Sequence, residues 1–217
     1  MKPRVKICCI SSIEEAKNAI QFGASAIGLV GKMPSGPGVI IDRLIFEIAR
    51  NVPPPIGTFL LTSETSFENI LEHHRIAQTN TIQIVDSIPV DTLLSIRVAL
   101  PGVKLVQVIH VINEESVAEA VQVSEYVDAI LLDSGNPYLK IKELGGTGRV
   151  HNWKLSRKIR DSIQIPVFLA GGLNPENVKQ AIQEVGPFGL DVCSGVRTDG
   201  KLNLLKLESF MKNIDQA

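Results

Sequence analysis

Phe168-Leu-Ala-Gly-Gly-Leu173 and Leu190-Asp-Val-Cys-Ser-Gly-Val196 are two segments near the C-terminus in which an apolar run ends in a glycine-bearing turn. Glycine carries no Cβ, so the backbone N–H groups of such a turn can approach an anion closely. A helix that begins just after the turn adds the positive end of its dipole. One such turn is an ordinary strand connection, but two in succession predict a phosphate cradle and a phosphorylated small molecule as the ligand.

These two segments belong to the last two of eight apolar runs that are typical of buried parallel strands. Segments with helical periodicity lie between most of the runs, and some carry start signals: Ser12 with Glu15 matches a capping box, and Asn174-Pro175 places a cap residue before a proline. The runs begin near Val5, Ala26, Ile56, Thr81, Lys104, Ala129, Val167 and Gly189. Their even spacing predicts an α/β fold, a single-domain (β/α)₈ TIM barrel over residues 1–217, and disfavours the competing doubly wound open sheet.

Composition excludes several classes of function. The 217 residues are 44% hydrophobic and 21% charged, with a net charge of -1, which indicates neither disorder nor a surface for polyanions. We therefore expect no nucleic-acid partner. No apolar stretch approaches the roughly 20 residues that span a bilayer, and the N-terminal residues lack a signal-peptide pattern. We expect no membrane association and a cytoplasmic location.

The cysteines and paired histidines do not form a recognisable metal motif. Cys8, Cys9 and Cys193 are odd in number, and the adjacent pair cannot join distant parts of the chain to each other, so we interpret them as thiols in a reducing compartment. Neither Cys8-Cys9 nor His73-His74 has the usual spacing of zinc ligands, so we predict no metal site. The two histidines lie in a helical pattern and are expected on its solvated surface.

The residues that close each strand are the candidates for chemistry, because active sites of such barrels lie at the carboxyl ends of the strands. Adjacent positions on a regular strand point to opposite sides, so only one of Cys8 and Cys9 is expected to face the mouth, unless both are small core residues. Asp133 follows the apolar run that starts at Ala129, and acts either in chemistry or as a helix cap or loop hydrogen-bond acceptor. His110 is either a core or a mouth residue. A thiol and a carboxyl group at one mouth can together move protons between substrate atoms, as an isomerase does.

Two connections are longer than the rest and rich in glycine. One follows the second strand, at Gly31-Lys-Met-Pro-Ser-Gly-Pro-Gly38, and the other follows the sixth, over residues 133–148. Long loops without secondary structure usually serve a function. We expect both to cover a bound ligand.

Five motifs in order resemble those of a known family. They are Val5-Lys-Ile-Cys8, Leu131-Leu-Asp-Ser134, Gly145-Gly-Thr-Gly148 with Trp153, Leu169-Ala-Gly-Gly-Leu-Asn-Pro-Glu-Asn-Val178 and Asp191-Val-Cys-Ser-Gly-Val196. Over nearly its whole length the chain resembles phosphoribosylanthranilate isomerase of tryptophan biosynthesis, which rearranges N-(5-phosphoribosyl)anthranilate without metal or organic cofactor. The resemblance implies that Asp133 is the general acid that opens the furanose ring and that Cys8 is the general base at the adjacent sugar carbon. It also implies that Gly171, Gly172, Ser194 and Gly195 bind phosphate.

The departures from the family cluster where the anthranilate ring would lie. The family usually has Ser-Pro-Arg after the second strand, whose arginine pairs with the anthranilate carboxylate, whereas this chain has Ser35-Gly-Pro-Gly38. The family's Gln-Leu-His-Gly is Gln83-Ile-Val-Asp86, and its glycine after the catalytic cysteine is Cys9. Lys32 and Arg197 are candidate substitutes for the arginine. Further candidate substrate contacts are Asp86, His110, Gly146 and Thr147.

These residues predict a cofactor-independent aldose-ketose isomerase that converts an N-(5-phosphoribosyl) amine to an amino-deoxyribulose phosphate. Its ligand is a small phosphorylated sugar, and the sequence leaves open whether that sugar carries anthranilate. One alternative is an isomerase-like barrel with a different phosphorylated substrate. The other is a non-catalytic sugar-phosphate-binding protein. Both a monomer and a homodimer are compatible with the sequence.

Overall fold

Eight parallel strands close into a barrel in the computed structural model, which describes residues 2–217. Each strand pairs with the next in the sequence and the eighth pairs with the first, so the predicted barrel is confirmed and the open sheet is wrong. The strands are β1 (Arg4–Ile7), β2 (Ala26–Val30), β3 (Gly57–Thr62), β4 (Thr81–Ile84), β5 (Lys104–His110), β6 (Ala129–Asp133), β7 (Val167–Leu169) and β8 (Gly189–Val192).

A helix follows each strand and packs on the outside of the barrel. The helices are α1 (Ile13–Gln21), α2 (Asp42–Ala49), α3 (Phe67–Ala77), α4 (Val90–Ala99), α5 (Glu115–Ser124), α6 (Trp153–Ser162), α7 (Val178–Val185) and α8 (Leu204–Asp215). A short 3₁₀ turn at Ser194–Val196 and a two-stranded hairpin lie between β8 and α8. No helix within residues 2–217 combines the length and the apolar character needed to cross a membrane.

Both predicted helix start signals operate, each with a variation. The Ser12 hydroxyl accepts the N–H of Glu15 at 3.1 Å, but the Glu15 carboxylate accepts from the N–H of Ser11 rather than from Ser12. Asn174 accepts the N–H groups of Glu176 and Asn177, both at 3.0 Å. These bonds cap a turn that leads into α7, which itself begins at Val178.

Alternation along the strands divides the core into two layers and places the candidate acid. On β6, Ile130 and Leu132 pack outward in the layer between strands and helices, whereas Ala129 and Leu131 pack inside the barrel. Side chains two positions apart lie on the same face of a strand. Asp133 therefore continues the inward row of β6 and emerges at its carboxyl end. Trp153 is buried in the outer layer at the start of α6.

His73 and His74 are buried, so their predicted place on a solvated surface is wrong. Each is 8% exposed. The His73 Nδ1 atom lies 2.9 Å from the Thr62 hydroxyl, and the His74 Nε2–H donates to the Thr79 carbonyl at 2.8 Å. With Ile70 they occupy the inner face of α3, at the three- and four-residue spacing that marks a buried helix face.

Candidate active site

A pocket at the carboxyl end of the barrel brings together most of the predicted site residues. The loops after β1, β2, β6, β7 and β8 all contribute to its wall. Cys8 and Asp133 line it, as do the predicted phosphate-turn residues Gly171, Gly172 and Ser194. Gly146 and Thr147 of the long loop after β6 complete this set.

A buried ion pair lies beneath the candidate base. Lys6 and Asp191 are register partners on β1 and β8, and the Lys6 ammonium lies 2.9 Å from the Asp191 carboxylate. Burial acts to lower the pKa of Lys6, but Asp191 and the neighbouring Cys8 outweigh it, so the pKa of Lys6 is raised and the group stays charged. A Cβ at Gly28 would lie 2.8 Å from the Cys8 sulfur and 3.1 Å from the Lys6 Nζ. The ammonium and that sulfur therefore both pack against Gly28.

Cys9 does not continue the strand. β1 ends at Ile7, and Cys9 has a φ of +62°, in the left-handed region that favours glycine. Since the backbone turns here, strand alternation no longer applies, and both Cys8 and Cys9 line the pocket. The expectation that only one of them faces the mouth depended on a regular strand and is wrong.

Asp133 is fixed at the mouth by its own loop. One carboxylate oxygen accepts the N–H of Ser134 at 2.8 Å, and a Cβ at Gly145 would lie 2.8 Å from the other oxygen. The hydroxyl groups of Ser134 and Thr147 are 2.7 Å apart and hold the two arms of the loop together. The alternative role as a helix cap is wrong, because Asn152 caps α6, but the bond from Ser134 makes Asp133 a loop hydrogen-bond acceptor.

The end of the pocket with the predicted phosphate-binding turns is built from backbone. Gly171 and Gly172 have φ values of +77° and +63°, and the Gly172 carbonyl accepts from the Asn177 side chain at 2.9 Å. Within residues 2–217 the N–H groups of Gly171, Gly172 and Ser194 make no hydrogen bond. Such N–H groups at a strand-to-helix turn suit an anion. Gly195 does not line the pocket. Because it has no Cβ that would collide with the Leu173 carbonyl, the two turns can pack together.

The two long loops meet above the pocket. The Ser35 hydroxyl donates to the Lys142 carbonyl at 2.7 Å, and Gly146 packs against the ring of Pro37. Ser35, Gly36 and Pro37 line the pocket from one side and residues 144–148 from the other. The stretch that carries the family's arginine is thus at the pocket, but it contributes no cation there.

Asp86 and His110 lie outside this pocket. They line a separate cavity between the loops after β4, β5 and β6. Asp86 accepts a hydrogen bond from the Lys142 ammonium, and the His110 Nε2–H donates to the Val85 carbonyl at 3.0 Å. Asp86 is therefore not brought together with Cys8 and Asp133. His110 is the register partner of Asp133 on the neighbouring strand, but its side chain lines the second cavity. Lys32 lies in a surface groove beside α2, also away from the pocket.

Arg197 is committed to contacts within the protein. Its guanidinium donates to Glu15 at 3.0 Å and to the carbonyls of Cys8 and Cys9 at 3.1 and 2.6 Å. Its side chain is only 6% exposed. Arg197 therefore holds the end of β1 and is not a free partner for a substrate carboxylate. No lysine or arginine is among the residues that line the pocket in the described chain.

Comparison with known proteins agrees with this geometry. The family model described as N-(5'phosphoribosyl)anthranilate (PRA) isomerase matches residues 5–213. The chain belongs to this family. It is 35% identical to N-(5'-phosphoribosyl)anthranilate isomerase 2 of Methanosarcina mazei, over 96% of this chain and 92% of that protein. It is 34% identical to the enzyme of Methanocella arvoryzae, over 94% and 93% of the two chains.

Solved structures of the family share the fold. Phosphoribosyl anthranilate isomerase from Thermotoga maritima superposes with a TM-score of 0.83 at 31% identity, covering 99% of this chain and all (100%) of the other. A family structure in complex with reduced 1-(o-carboxyphenylamino)-1-deoxyribulose 5-phosphate gives a TM-score of 0.82 at 29% identity, with coverage of 99% and 100%. The predicted phosphate turns and the candidate acid and base thus lie on a barrel that the family shares.

Three buried polar groups at this site were not proposed from the sequence. Lys6 and Asp191 interrupt apolar strand runs and face the barrel interior, and Gln83 lines the pocket with its side-chain oxygen unpaired. A polar residue inside an apolar strand was the signal that identified Asp133, and it applies equally to these three.

His151 lies behind Gly171 with its Nε2 atom 2.7 Å from the Ser156 hydroxyl. Burial lowers the pKa of His151 to about 4 against the effect of nearby Asp133, so the ring is neutral at pH 7.

Proposed function

We propose that this protein is a phosphoribosylanthranilate isomerase, which converts N-(5-phosphoribosyl)anthranilate to the carboxyphenylamino-deoxyribulose phosphate. The observation that carries the proposal is one pocket that holds a thiol, a carboxyl group and a backbone phosphate cradle, on the barrel of a family member. A pure binder has no need of an acid and a base at the same mouth. This favours catalysis over the non-catalytic alternative.

We assign a proton transfer to each of the two groups. Asp133, protonated, donates to the ring oxygen while the nitrogen lone pair forms the Schiff base and the furanose ring opens. Cys8, as thiolate, then removes the proton from the adjacent sugar carbon, giving an enol-amine that tautomerises to the ketose. The Lys6 ammonium beside Cys8 stabilises the anionic sulfur before the transfer. General acid-base steps of this kind contribute roughly 10²–10⁴-fold each.

The phosphate and the carboxylate are held by different means. Backbone N–H groups of the turns after β7 and β8 bind the phosphate, which fixes the sugar relative to Cys8 and Asp133. The pocket offers no arginine or lysine for the anthranilate carboxylate. We therefore expect little discrimination against the aniline-linked analogue, with KM within about fivefold of that for the anthranilate compound. A much larger KM for the analogue would indicate a carboxylate contact that this geometry lacks.

The activity is tested with freshly prepared phosphoribosylanthranilate, followed through the loss of its fluorescence, and by complementation of a tryptophan auxotroph. Cys8→Ala and Asp133→Asn are expected to abolish turnover while circular dichroism shows an intact fold. Asp86→Asn is the matched control, because it removes a carboxylate charge outside the pocket. A well-folded wild-type protein without turnover would contradict the proposal, and sugar-phosphate binding without turnover would favour a sensor.

Four further parts of the proposal stay predictions. The reaction needs no cofactor, so we expect EDTA to leave the rate unchanged. The small phosphorylated sugar is the expected partner, and the cytoplasm is the expected location. A monomer and a homodimer both remain open; a dimeric enzyme from Thermotoga maritima is known, and light scattering on this protein decides between them.

A further inference from the structure

Two thiols that the proposed reaction does not use meet at the mouth of the barrel. The sulfur atoms of Cys9 and Cys193 lie 2.7 Å apart, although the residues are separated by 184 positions in the sequence. They follow neighbouring strands, β1 and β8, and both line the pocket. Cys9 is buried and Cys193 is half-buried.

The backbone holds this pair in place from several sides. Arg197 donates to the Cys9 carbonyl at 2.6 Å and keeps the residue in its left-handed conformation. A Cβ at Gly38 would lie 2.5 Å from the Cys9 Cβ, so the loop after β2 packs directly on this side chain. The Cys9 thiol therefore has little freedom to turn away from Cys193. A shift of under ~1 Å would bring the two sulfur atoms to bonding distance.

The surroundings give the two thiols different reactivity. The hydrogen bond with Cys9, together with the nearby Arg197 guanidinium, lowers the pKa of Cys193 against the effect of burial. The same contact, with Cys8 and burial, raises the pKa of Cys9. Thiolates are the species that react with peroxides. Cys193 is thus the thiol to be oxidised, and it is also the more exposed of the two, since Cys9 is buried beside it.

We propose that Cys193 and Cys9 form a reversible disulfide when the protein meets a hydroperoxide. The Cys193 thiolate attacks one peroxide oxygen, the O–O bond breaks, and a sulfenic acid and hydroxide or alkoxide are formed. The Cys9 thiol then attacks the sulfenic sulfur, an S–S bond forms, and water leaves with the Cys9 proton. In sum two thiols are oxidised by two electrons and one hydroperoxide is reduced.

The disulfide would lock the phosphate end of the pocket. Cys193 directly precedes Ser194, and Cys9 directly follows Cys8, so the bond ties the candidate base to the phosphate turn. Oxidised protein is expected to lose at least tenfold in kcat/KM and to regain it with dithiothreitol. The expected loss of kcat/KM rests on the proposed function, whereas the formation of the disulfide does not.

The test is peptide mapping of the purified chain. After treatment with hydrogen peroxide at neutral pH, free thiols are blocked with iodoacetamide and the protein is digested with trypsin. We expect residues 7–17, which contain Cys8 and Cys9, to be cross-linked to residues 180–197, with one alkylated thiol remaining. Irreversible sulfinic acid at Cys193 without a cross-link would overturn the proposal. Inorganic phosphate is expected to slow the oxidation if it sits against Ser194.

Single variants identify the partner thiol. Cys8→Ser is expected to retain the cross-link, and Cys9→Ala to abolish it and leave Cys193 prone to further oxidation. Loss of the cross-link in Cys8→Ser would instead assign it to Cys8 and overturn the proposal. Thermal unfolding of the reduced variants verifies that each is folded before it is oxidised.

Discussion

Replacing Arg197 by methionine tests whether this residue supports the barrel or binds the substrate. Its guanidinium donates to Glu15 and to the carbonyls of Cys8, Cys9 and Gly200. Methionine fills much of the same space without charge or hydrogen bonds. The substitution therefore removes the polar contacts that join the end of β1 to the segment after β8.

The size of the effect follows from the burial of the pair. The side chains of Arg197 and Glu15 are 6% and 14% exposed. Removing one partner of a buried ion pair destabilises by about 3–5 kcal/mol. Glu15 keeps its bonds from the N–H groups of Ser11 and Leu202, so we expect the lower figure. For a chain of this size about 3 kcal/mol lowers Tm by roughly 6–12 °C.

Denaturant titration and calorimetry measure the effect, with Arg157→Met as the matched control. Arg157 pairs with Asp161 on the surface of α6, with side chains 45% and 48% exposed, and its loss is expected to change stability by less than about 0.5 kcal/mol.

Burial acts to raise the pKa of Glu15, but hydrogen bonds from Arg197, Leu202 and Ser11 outweigh it and hold the pKa low. The stabilisation is therefore present above the ordinary glutamate pKa and is lost as pH falls through the lower, folded value. The difference between wild type and Arg197→Met should shrink accordingly below about pH 4.

A contrary result would be clear. If Arg197→Met were as stable as Arg157→Met and only its KM for the substrate rose, Arg197 would be a substrate contact, as the sequence suggested. Loss of stability together with reduced kcat, from displacement of Cys8, is the outcome that the structure predicts.

Two further substitutions test the catalytic end of the pocket. Gly145→Ala is expected to lower kcat at least tenfold, because the added Cβ would lie 2.8 Å from the Asp133 carboxylate, at a φ of +141°. Gly102→Ala is the control, since a Cβ at Gly102 would have nothing within 4 Å. Equal kcat values for the two variants would refute the contact with Asp133. Lys6→Met leaves Asp191 buried without its cation and is expected to destabilise by about 3–5 kcal/mol. The double variant Lys6→Met with Asp191→Leu should recover the fold but not the rate, and a wild-type kcat in the double variant would exclude a role for the ammonium beside Cys8.

The sequence predicts the strand framework and the ends of the strands well, for a physical reason. Strand alternation has a period of two, so the inward row that contains Ala129 and Leu131 must also contain Asp133. Glycines with positive φ at 171 and 172 are equally legible, because few other residues adopt that conformation. The sequence therefore predicts that Asp133 and the glycine turns lie at the mouth of the barrel, and their roles there stay predictions.

The path of the loops was not accessible in the same way. His110 ends β5 and Asp86 follows the end of β4 by two residues, yet both line a second cavity with the loop after β6, whose Lys142 donates to Asp86. Lys32 is three residues from Ser35 but faces α2. Which side of a loop faces the ligand depends on contacts with other loops. These contacts follow no sequence periodicity like the alternation along a strand.

The conformation of Cys9 and the placement of Arg197 have one cause. If β1 were regular through Cys9, only one cysteine would face the mouth. If Arg197 were free, its guanidinium could bind a substrate carboxylate. In the structure the guanidinium binds the carbonyls of both Cys8 and Cys9, and Cys9 turns to a φ of +62° at that point. A left-handed residue other than glycine costs about 1–2 kcal/mol, so contacts such as these must hold it. Arg197 therefore ends the strand and presents both thiols to the pocket. Its own hydrogen-bond donors are occupied by these contacts within the protein.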